Sequence, residues 1–344
     1  MGEHLRIGFL GAGLIATYHS KSLRRCSSVI ERVGVFDTDQ ERAAQFAAAS
    51  GHTLMASEDD VLDSCDAVYV CTWTSEHQRQ VDKAAARGLA IFCEKPLAFD
   101  VDTARQMAER VSRAGVTNQV GLVLRHSPAY LWARHLIDEP AAGRVMSVVC
   151  RDDQFIPIQG QYGSTWRSDH RLAGSGTLME HSIHDVDMFR FLAGDVARVS
   201  AYSANYHAHD GIEDVATATV RFTNGALGTL ASIWHDNLAR PSLRRVEIFC
   251  ERRDVTIEGD DWYGPVSWSN TDGDSHSLGG EDLVAAVAPM RDVSDNPDEC
   301  FVRAALAQAP ATPDFADAVH AHAIIAAMYE SAAQDGAPVE IDHD

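Results

Sequence analysis

The sequence predicts two domains: a parallel β-sheet covered by helices on both sides, followed by an α+β domain built on an antiparallel sheet. The 344 residues correspond to about two domains at about 150 residues each. Up to about residue 125, short apolar runs alternate with helical patterns. Beyond that point, successive strand-like runs are joined by short turns. We therefore place the domains at 1–125 and 126–344, with a C-terminal helix that can pack back on the first domain.

The first half contains six short runs that read as strands. They are apolar on both faces, which is typical of parallel strands buried on both sides. The predicted strands are LRIGFL (5–10), VGVFD (33–37), HTLMA (52–56), AVYVC (67–71), LAIFC (89–93) and QVGLV (119–123). Helical patterns span 14–25, 39–50, 76–87 and 100–114, with Asp39 as an N-cap. Together these elements predict a doubly wound nucleotide-binding sheet.

The second half follows a different order of elements. Helices are predicted at 127–138, 176–193, 297–308 and 314–334. Strands are predicted at 144–156, 199–207, 215–222, 225–234 and 244–251. The tripeptide TNG (223–225) is a tight-turn signal between two of these strands. The turn-rich stretch 261–282 is expected to form an exposed loop or hairpin.

Composition argues against several classes of partner and location. With 29 Lys and Arg against 50 Asp and Glu, the net charge of −21 argues against nucleic acid and anionic membranes. No apolar run approaches the ~18 residues of a membrane span, and residues 1–13 lack the pattern of a secretory signal. The seven cysteines are odd in number and show no CxxC spacing. We therefore expect reduced thiols in a cytoplasmic protein.

A glycine-rich loop between the first strand and the first helix has the pattern GxGxxA. Gly11 permits the tight turn, Gly13 lets the backbone approach a pyrophosphate, and Ala16 lets the helix pack on the strand. The N-terminus of the following helix attracts phosphates. The loop therefore predicts a dinucleotide site, and the alternative is a glycine-rich turn without a ligand.

Asp37 ends the second strand, 26 residues after Gly11. A carboxylate there accepts hydrogen bonds from the adenosine ribose and repels a 2′-phosphate. The next residue is Thr38 rather than Arg or Lys. This pattern favours NAD over NADP, and the alternative for Asp37 is a turn residue or helix cap.

Lys95 lies in the segment CEKPLA (93–98), directly after the fifth strand. Ligands of open α/β sheets bind at that end of the strands. Pro96 biases Lys95 toward an extended conformation and so restricts its direction. By itself, the segment is equally typical of a surface lysine in a turn.

Four motifs in this order resemble the Gfo/Idh/MocA family, which includes glucose–fructose oxidoreductase and inositol dehydrogenase. They are GAGLIA (11–16), CTWTSEH (71–77), EKPLA (94–98) and GSGTLMEHSIHDVD (174–187). The resemblance implies a Rossmann domain and an α/β domain with an open, mostly antiparallel sheet. It also implies hydride transfer between a nicotinamide cofactor and a CHOH or C=O group of a sugar, cyclitol or related polyol. Family members are usually homodimers or homotetramers.

The resemblance implies Lys95, His184 and Glu180 as catalytic residues. His184 would exchange the substrate hydroxyl proton, and a histidine suits this because its pKa lies near neutrality. Lys95 would stabilise negative charge on the same oxygen. Glu180, His184 and Asp187 are spaced i, i+4 and i+7, so one helix would present them on one face. Glu180 stands where Asp is common in the family, so inositol dehydrogenase activity is not carried over.

The same motifs supply the candidate ligand-binding residues. The expected cofactor-binding residues are Gly11, Gly13, Leu14, Ile15, Ala16, Asp37, Thr38, Thr72, Trp73, His77, Glu94 and Lys95. The expected substrate-binding residues are Lys95, Arg125, Gln154, Trp166, Arg167, Glu180 and His184, with His235 and Tyr263 as further candidates. Trp73 stands where a proline is common, so its indole either lines the pocket or fills space.

Three alternatives remain open. A metal site could use His181 with Asp185, or His207 with His209, although no HExxH motif is present. The chain could bind NAD as a regulator without turnover. Within the family, it could retain its cofactor and shuttle hydride between two sugars, or support a transient oxidation during bond cleavage as a lyase or glycosidase.

Overall fold

The computed structural model describes residues 4–259, 261–291 and 295–342. They form two compact units. The first comprises the chain up to Leu122 together with Asn296–Val319, and the second comprises Val123–Asp295 with His320–Asp344. The sequence-based ranges, 1–125 and 126–344, differ from this division at residues 123–125, which fall in the second unit, and at Asn296–Val319, which fall in the first.

The described residues contain fifteen β-strands and twelve α-helices. The strands are β1 Leu5–Leu10, β2 Ile30–Phe36, β3 Thr53–Leu54, β4 Ala67–Val70, β5 Ala90–Cys93, β6 Asn118–Val120, β7 Val145–Phe155, β8 Val196–Ala204, β9 Val215–Phe222, β10 Leu227–His235, β11 Leu243–Cys250, β12 Arg253–Glu258, β13 Val266–Asn270, β14 Ser275–Leu278 and β15 Val339–Glu340. The helices are α1 Leu14–Ser22, α2 Gln40–Ser50, α3 Glu58–Ser64, α4 Thr74–Ala86, α5 Val101–Ala114, α6 Pro128–Asp138, α7 His170–Ala173, α8 Thr177–Glu180, α9 Ile183–Ala193, α10 Gly280–Val287, α11 Pro297–Ala307 and α12 Phe315–Ala333.

The first unit is built on the predicted parallel sheet. Its strand order is β3-β2-β1-β4-β5-β6, and every neighbouring pair is parallel. All six predicted strands are confirmed with small shifts of their ends, and Asp39 caps α2 by accepting the Arg42 amide. The short acidic helix α3 was not predicted. The order reverses beside β1, which is where ligands bind in such sheets.

Aromatic rings hold the centre of the first unit. Phe9, Tyr69 and Phe92, from three neighbouring strands, stack with centroids 4.8 Å apart. Phe301 of α11 meets Tyr69 and Phe92 edge-on at 5.4 and 5.7 Å. Such offset and edge-to-face contacts add to the stabilisation from burial. They hold α11 against the sheet, although residues 123–295 separate the two parts of this unit in the sequence.

The second unit contains a nine-stranded sheet in the order β14-β13-β12-β11-β7-β10-β9-β8-β15. Only β7 and β10 pair in parallel among its described strands, so the predicted mostly antiparallel sheet is confirmed. TNG forms the turn between β9 and β10, and 261–282 contains the expected hairpin, β13 to β14. The strand β12 and the helix α10 were not predicted.

The predicted single helix over 176–193 is wrong. The chain forms α8 and α9, separated at His181 and Ser182. The Ser182 amide donates to the Thr177 carbonyl five residues back, and the hydroxyls of both residues lie 2.7–2.8 Å from Ser232 Oγ on β10. These bonds tie both sides of the break to the sheet. Glu180 and His184 therefore belong to different helices, and the predicted single helix face does not present both.

None of the helices formed by the described residues combines the length and the apolar character that crossing a membrane requires.

Candidate functional site

The glycine loop after β1 leaves the N-terminus of α1 open. Gly11 has φ +90°, and a Cβ there would lie 2.6 Å from the Cys71 carbonyl oxygen, so the turn requires glycine. A Cβ on Gly13 would meet no heavy atom within 4 Å, and no side chain caps α1. The side chains of Leu14 and Ile15 are 65% and 39% exposed. An anion can therefore approach the amides of the first helical turn.

Asp37 connects this loop to the end of β2. Its carboxylate accepts the amides of Ala12 and Asp39, each at 2.8 Å, and its side chain is only 10% exposed. Two hydrogen bonds leave lone pairs on a carboxylate for further donors. Arg42 lies 3.7 Å away, while Thr38 is exposed. The loop, the helix terminus and the carboxylate fit the pyrophosphate and ribose of a dinucleotide.

The segment after β4 holds the segment after β5. His77 is 1% exposed, and its ring nitrogens lie 3.0 Å from the Pro96 carbonyl and 3.2 Å from the Thr72 carbonyl. The Thr72 hydroxyl donates to Gln80 at 2.6 Å. Trp73, at the N-cap of α4, is 37% exposed. His77 therefore fixes the backbone of two predicted cofactor-binding segments, and Trp73 presents an indole to solvent.

Glu94 is buried beside the partly exposed Lys95. One carboxylate oxygen lies 2.8 Å from His19 Nε2, and the other accepts the Lys95 amide at 3.1 Å. His19 Nδ1 lies 2.7 Å from Asp298 on α11. Burial of the His19 ring lowers its pKa, but the Asp298 and Glu94 carboxylates outweigh burial and raise that pKa to about 10. The imidazole is therefore a cation at neutral pH.

Sequence reasoning missed His19 and Asp298. His19 lies on α1, three residues after the predicted Ala16 and so on a similar face, which was a usable signal. Nothing in the sequence connects Asp298 with a motif 200 residues earlier.

In the second unit, three predicted residues come together around α8. Glu180, whose side chain is 1% exposed, accepts Arg167 Nε at 3.0 Å. The Arg167 guanidinium lies 4.3 Å from the centroid of the Trp166 indole. Glu213 accepts the amides of Gly176 and Leu178 at 2.8 and 2.9 Å and so caps α8. Glu213 therefore fixes the backbone of the glycine-rich segment that leads into α8 and Glu180.

His184 lies in the first turn of α9. Asp187, about one turn further on, anchors this helix. Asp187 is buried and accepts Arg125 Nε at 2.9 Å and a terminal Arg125 nitrogen at 2.6 Å. Arg125, a predicted substrate-binding residue, thus forms a bidentate ion pair with the last acid of the same motif.

A buried charge cluster anchors the other side of α9. Arg244 donates to Asp185 at 2.7 Å and to Asp152 at 2.6 Å, and His181 lies 2.9 Å from Asp152. Burial raises the pKa of Asp185 to about 8 even though Arg244 opposes it. His181 and Asp185, which the sequence offered as metal ligands, are therefore members of this cluster. Among residues 4–259, 261–291 and 295–342, no group of three or more His, Cys, Asp or Glu is arranged to hold a metal ion.

Among the remaining candidates of the second unit, Gln154 and His235 lie on the neighbouring strands β7 and β10, where His235 pairs with Phe155. Gln154 is 5% exposed on β7, with the Ser242 hydroxyl 3.4 Å from its carbonyl oxygen. His235 ends β10, and its Nδ1 accepts the Asn237 amide at 3.1 Å. Tyr263 is 38% exposed in the loop before β13.

Comparison with known proteins identifies both halves of the sequence. Residues 5–122 match a family described as "Oxidoreductase family, NAD-binding Rossmann fold", and residues 130–256 match the "GFO/IDH/MocA C-terminal domain". An inositol 2-dehydrogenase of Cereibacter sphaeroides is 32% identical over 216 residues, 61% of each chain. The scyllo-inositol 2-dehydrogenase (NAD(+)) of Bacillus subtilis is 31% identical over 66% of this chain and 67% of its own. The match therefore covers less than two thirds of the length of the Cereibacter sphaeroides relative.

Solved structures show the same fold. Levoglucosan dehydrogenase in complex with NADH and levoglucosan superposes with a TM-score of 0.88 over 99% of this chain and 100% of the other, at 21% identity. An oxidoreductase domain protein from Kribbella flavida gives 0.87 over 99% and 100%, at 23% identity. These similarities support the two-part architecture predicted from the motifs.

Alanine at the two loop glycines separates folding from cofactor binding. Gly11→Ala should destabilise the protein by about 1–3 kcal/mol, because the new Cβ meets the Cys71 carbonyl at a positive φ. Gly13→Ala should leave stability unchanged and weaken NADH binding about tenfold or more, because the methyl occupies space needed for the pyrophosphate. Urea unfolding and NADH fluorescence titration measure both effects. Wild-type NADH affinity in Gly13→Ala would contradict this role for the loop.

The His19 cation predicts a pH dependence of stability. Its pKa is raised from 6.5 to about 10 on folding, so the stabilisation is complete below pH 6.5 and is lost as the pH rises toward 10. The difference in unfolding free energy between wild type and His19→Gln should therefore shrink over that interval. His52→Gln is the control, since burial lowers the pKa of His52 to about 4 and it stays neutral there. A constant difference for His19→Gln from pH 6 to 10 would refute the buried cation.

Proposed function

Because the chain belongs to the Gfo/Idh/MocA oxidoreductase family, we propose that it transfers a hydride between NAD and a CHOH or C=O group of a sugar, cyclitol or related polyol. The observation that carries this proposal is the match of residues 5–122 to an NAD-binding family, with Asp37 bonded to the glycine loop. Relatives named as inositol dehydrogenases support the substrate class.

The first unit supplies the cofactor-binding residues. The amides at the start of α1 face the pyrophosphate beside Gly11 and Gly13, and Leu14, Ile15 and Ala16 form that turn. The Asp37 carboxylate accepts the ribose hydroxyls and disfavours the 2′-phosphate of NADP, while Thr38 adds no cation. Trp73 lines the cofactor, whereas the partly buried Thr72 and the buried His77 and Glu94 hold the backbone around it. When bound, the nicotinamide supplies the hydride chemistry.

Lys95 and His184 supply the two polar functions that alcohol oxidation needs. His184 takes the hydroxyl proton as a general base and returns it during reduction. Lys95 donates a hydrogen bond to the same oxygen and stabilises its developing negative charge. Positioning accounts for much of the rate gain in such a reaction, so the ion pairs that hold both segments contribute to it.

The residues around Glu180 bind substrate in this proposal. Glu180 accepts a hydrogen bond from a substrate hydroxyl, and Arg167 orients the Glu180 carboxylate. Trp166 supports Arg167 from the other side. Gln154 offers its side-chain amide, and Arg125 holds Asp187 on the helix that carries His184. This set of donors and acceptors suits several hydroxyl groups better than a single strong anion.

We also propose that the protein is a homodimer or homotetramer that works in the cytoplasm. On the second unit's sheet, Tyr202, Leu227 and Phe249 share the outward face and are 58%, 57% and 39% exposed. A second copy covering this face would bury them. Light scattering of the purified protein tests the oligomer, with a monomer as the contrary result, and cell fractionation tests the location.

Removal of either polar group should abolish most turnover. Lys95→Ala and His184→Ala should each lower kcat about 100-fold or more, while folding and NADH affinity stay near wild type. Matched controls are Lys21→Ala, exposed at the end of α1, and His135→Ala on α6. Activity comes first from a panel of polyols and aldoses with NAD and NADP, read as NADH or NADPH formation. Wild-type kcat in either variant would reject its role, and a panel without turnover would reject the proposed function.

Charge at Asp37 should set the choice of cofactor. Asp37→Asn removes the charge and keeps an acceptor oxygen for one of the two backbone amides that Asp37 binds. The NAD-to-NADP ratio of kcat/KM should therefore fall about tenfold or more. The control is Asp39→Asn, which loses the same charge two residues away and keeps a capping side chain. An unchanged ratio in Asp37→Asn would show that Asp37 does not select the cofactor.

A further inference from the structure

We propose that His19 is a positioning residue for Lys95, acting through the Glu94 carboxylate with Asp298 as its support. The inference rests on the proposed role of Lys95 in hydride transfer. It concerns four residues of the first unit, contributed by α1, by the segment after β5 and by the first turn of α11.

The His19 ring is held on both sides by acceptors. Nε2 lies 2.8 Å from Glu94 and Nδ1 lies 2.7 Å from Asp298, and the ring is 1% exposed. Ionised carboxylates only accept hydrogen bonds, so both ring nitrogens donate. Charge-assisted bonds of this kind are short and strong when buried. The ring therefore holds the Glu94 carboxylate more rigidly than a single neutral hydrogen bond would.

The Glu94 carboxylate passes this constraint to Lys95. Its second oxygen accepts the Lys95 amide at 3.1 Å. A Cβ on Gly121 would lie 2.7–2.9 Å from three atoms of the carboxylate, so the backbone of Gly121 closes one side of its site. On the other side of Lys95, the carbonyl oxygen of Pro96 lies 3.0 Å from His77 Nδ1. The backbone of Lys95 is thus fixed from both sides, which sets the origin of its side chain.

Asp298 holds the His19 ring on the side opposite Glu94. It is fully buried in the first turn of α11, where the helix terminus favours an acid. Asn296 caps that helix and also donates to Ser22 Oγ at 2.6 Å, while Gln119 donates to the Pro297 carbonyl at 3.1 Å. The start of α11 is therefore fixed to α1 and β6, and it presents Asp298 to His19 at a defined place.

A purely structural role would connect the same elements without affecting Lys95 in particular. The two roles predict different losses of turnover when the His19 and Glu94 substitutions are combined. If His19 acts through Glu94, the two residues form one path, and removing both costs no more turnover than removing Glu94's charge alone. If His19 only stabilises the core, its effect on turnover is small or multiplies with that of Glu94.

The test compares His19→Gln, Glu94→Gln and the double variant. Glutamine has one donor end and one acceptor end, so it cannot donate to two carboxylates. His19→Gln should lower kcat about tenfold or more, with NADH affinity within about threefold of wild type, because the reacting groups are displaced rather than lost. The double variant should match Glu94→Gln. Amide hydrogen exchange in residues 94–98, measured without cofactor or substrate, should quicken about tenfold in every variant.

His52→Gln is the matched control, since His52 is a buried histidine of the same unit that bonds Ser50 instead. It should lower stability but leave kcat and exchange at 94–98 unchanged. If His19→Gln does not fold, Asp298→Asn weakens the same support while keeping the ring, and the same comparison with Glu94→Gln applies.

Wild-type kcat in His19→Gln, multiplied losses in the double variant, or unchanged exchange at 94–98 would each overturn the proposal. The exchange measurement needs no substrate. If the wild-type protein turns over no polyol or sugar, the proposed function fails, and exchange at 94–98 still decides whether His19 positions Lys95.

Discussion

Buried carboxylates paired with cations are the constraint on which the functional segments of this protein depend. An ionised acid removed from water is strongly destabilising unless a cation and further donors meet it, and breaking such a pair costs about 3–5 kcal/mol. Each unit satisfies this requirement at a predicted motif. The pairs are Glu94 and Asp298 with His19, Asp187 with Arg125, Glu180 with Arg167, and Asp152 with Arg244.

These pairs position the groups that carry the proposed chemistry. Around α9, Arg244 holds Asp185 and Arg125 holds Asp187, so His184 begins a helix anchored at two points. Around the segment after β5, His19 holds Glu94 next to Lys95. Buried ion pairs are weak contributors to stability compared with apolar packing, but they define one geometry. A reaction whose rate depends on the alignment of the reacting groups requires such a defined geometry.

The net charge of −21 is compatible with an anionic cofactor because the cradle does not depend on net charge. The glycine loop offers backbone amides and a helix terminus, which attract phosphates whatever the sign of the distant surface. The negative charge of Asp37 is met by the Ala12 amide of the same loop. Local backbone geometry, and not overall charge, therefore governs what the first unit binds.

The sequence by itself determined the two kinds of sheet, the glycine cradle and the residues of the four motifs, because strand burial and tight turns depend on neighbours in the chain. Tertiary structure decided the break between α8 and α9, since Ser232 lies about 50 residues away on β10. It also decided that Asp298 supports His19 and that Arg125 pairs with Asp187. Those contacts join residues distant in sequence, and pairing of buried charges leaves no periodic signal that one segment could show.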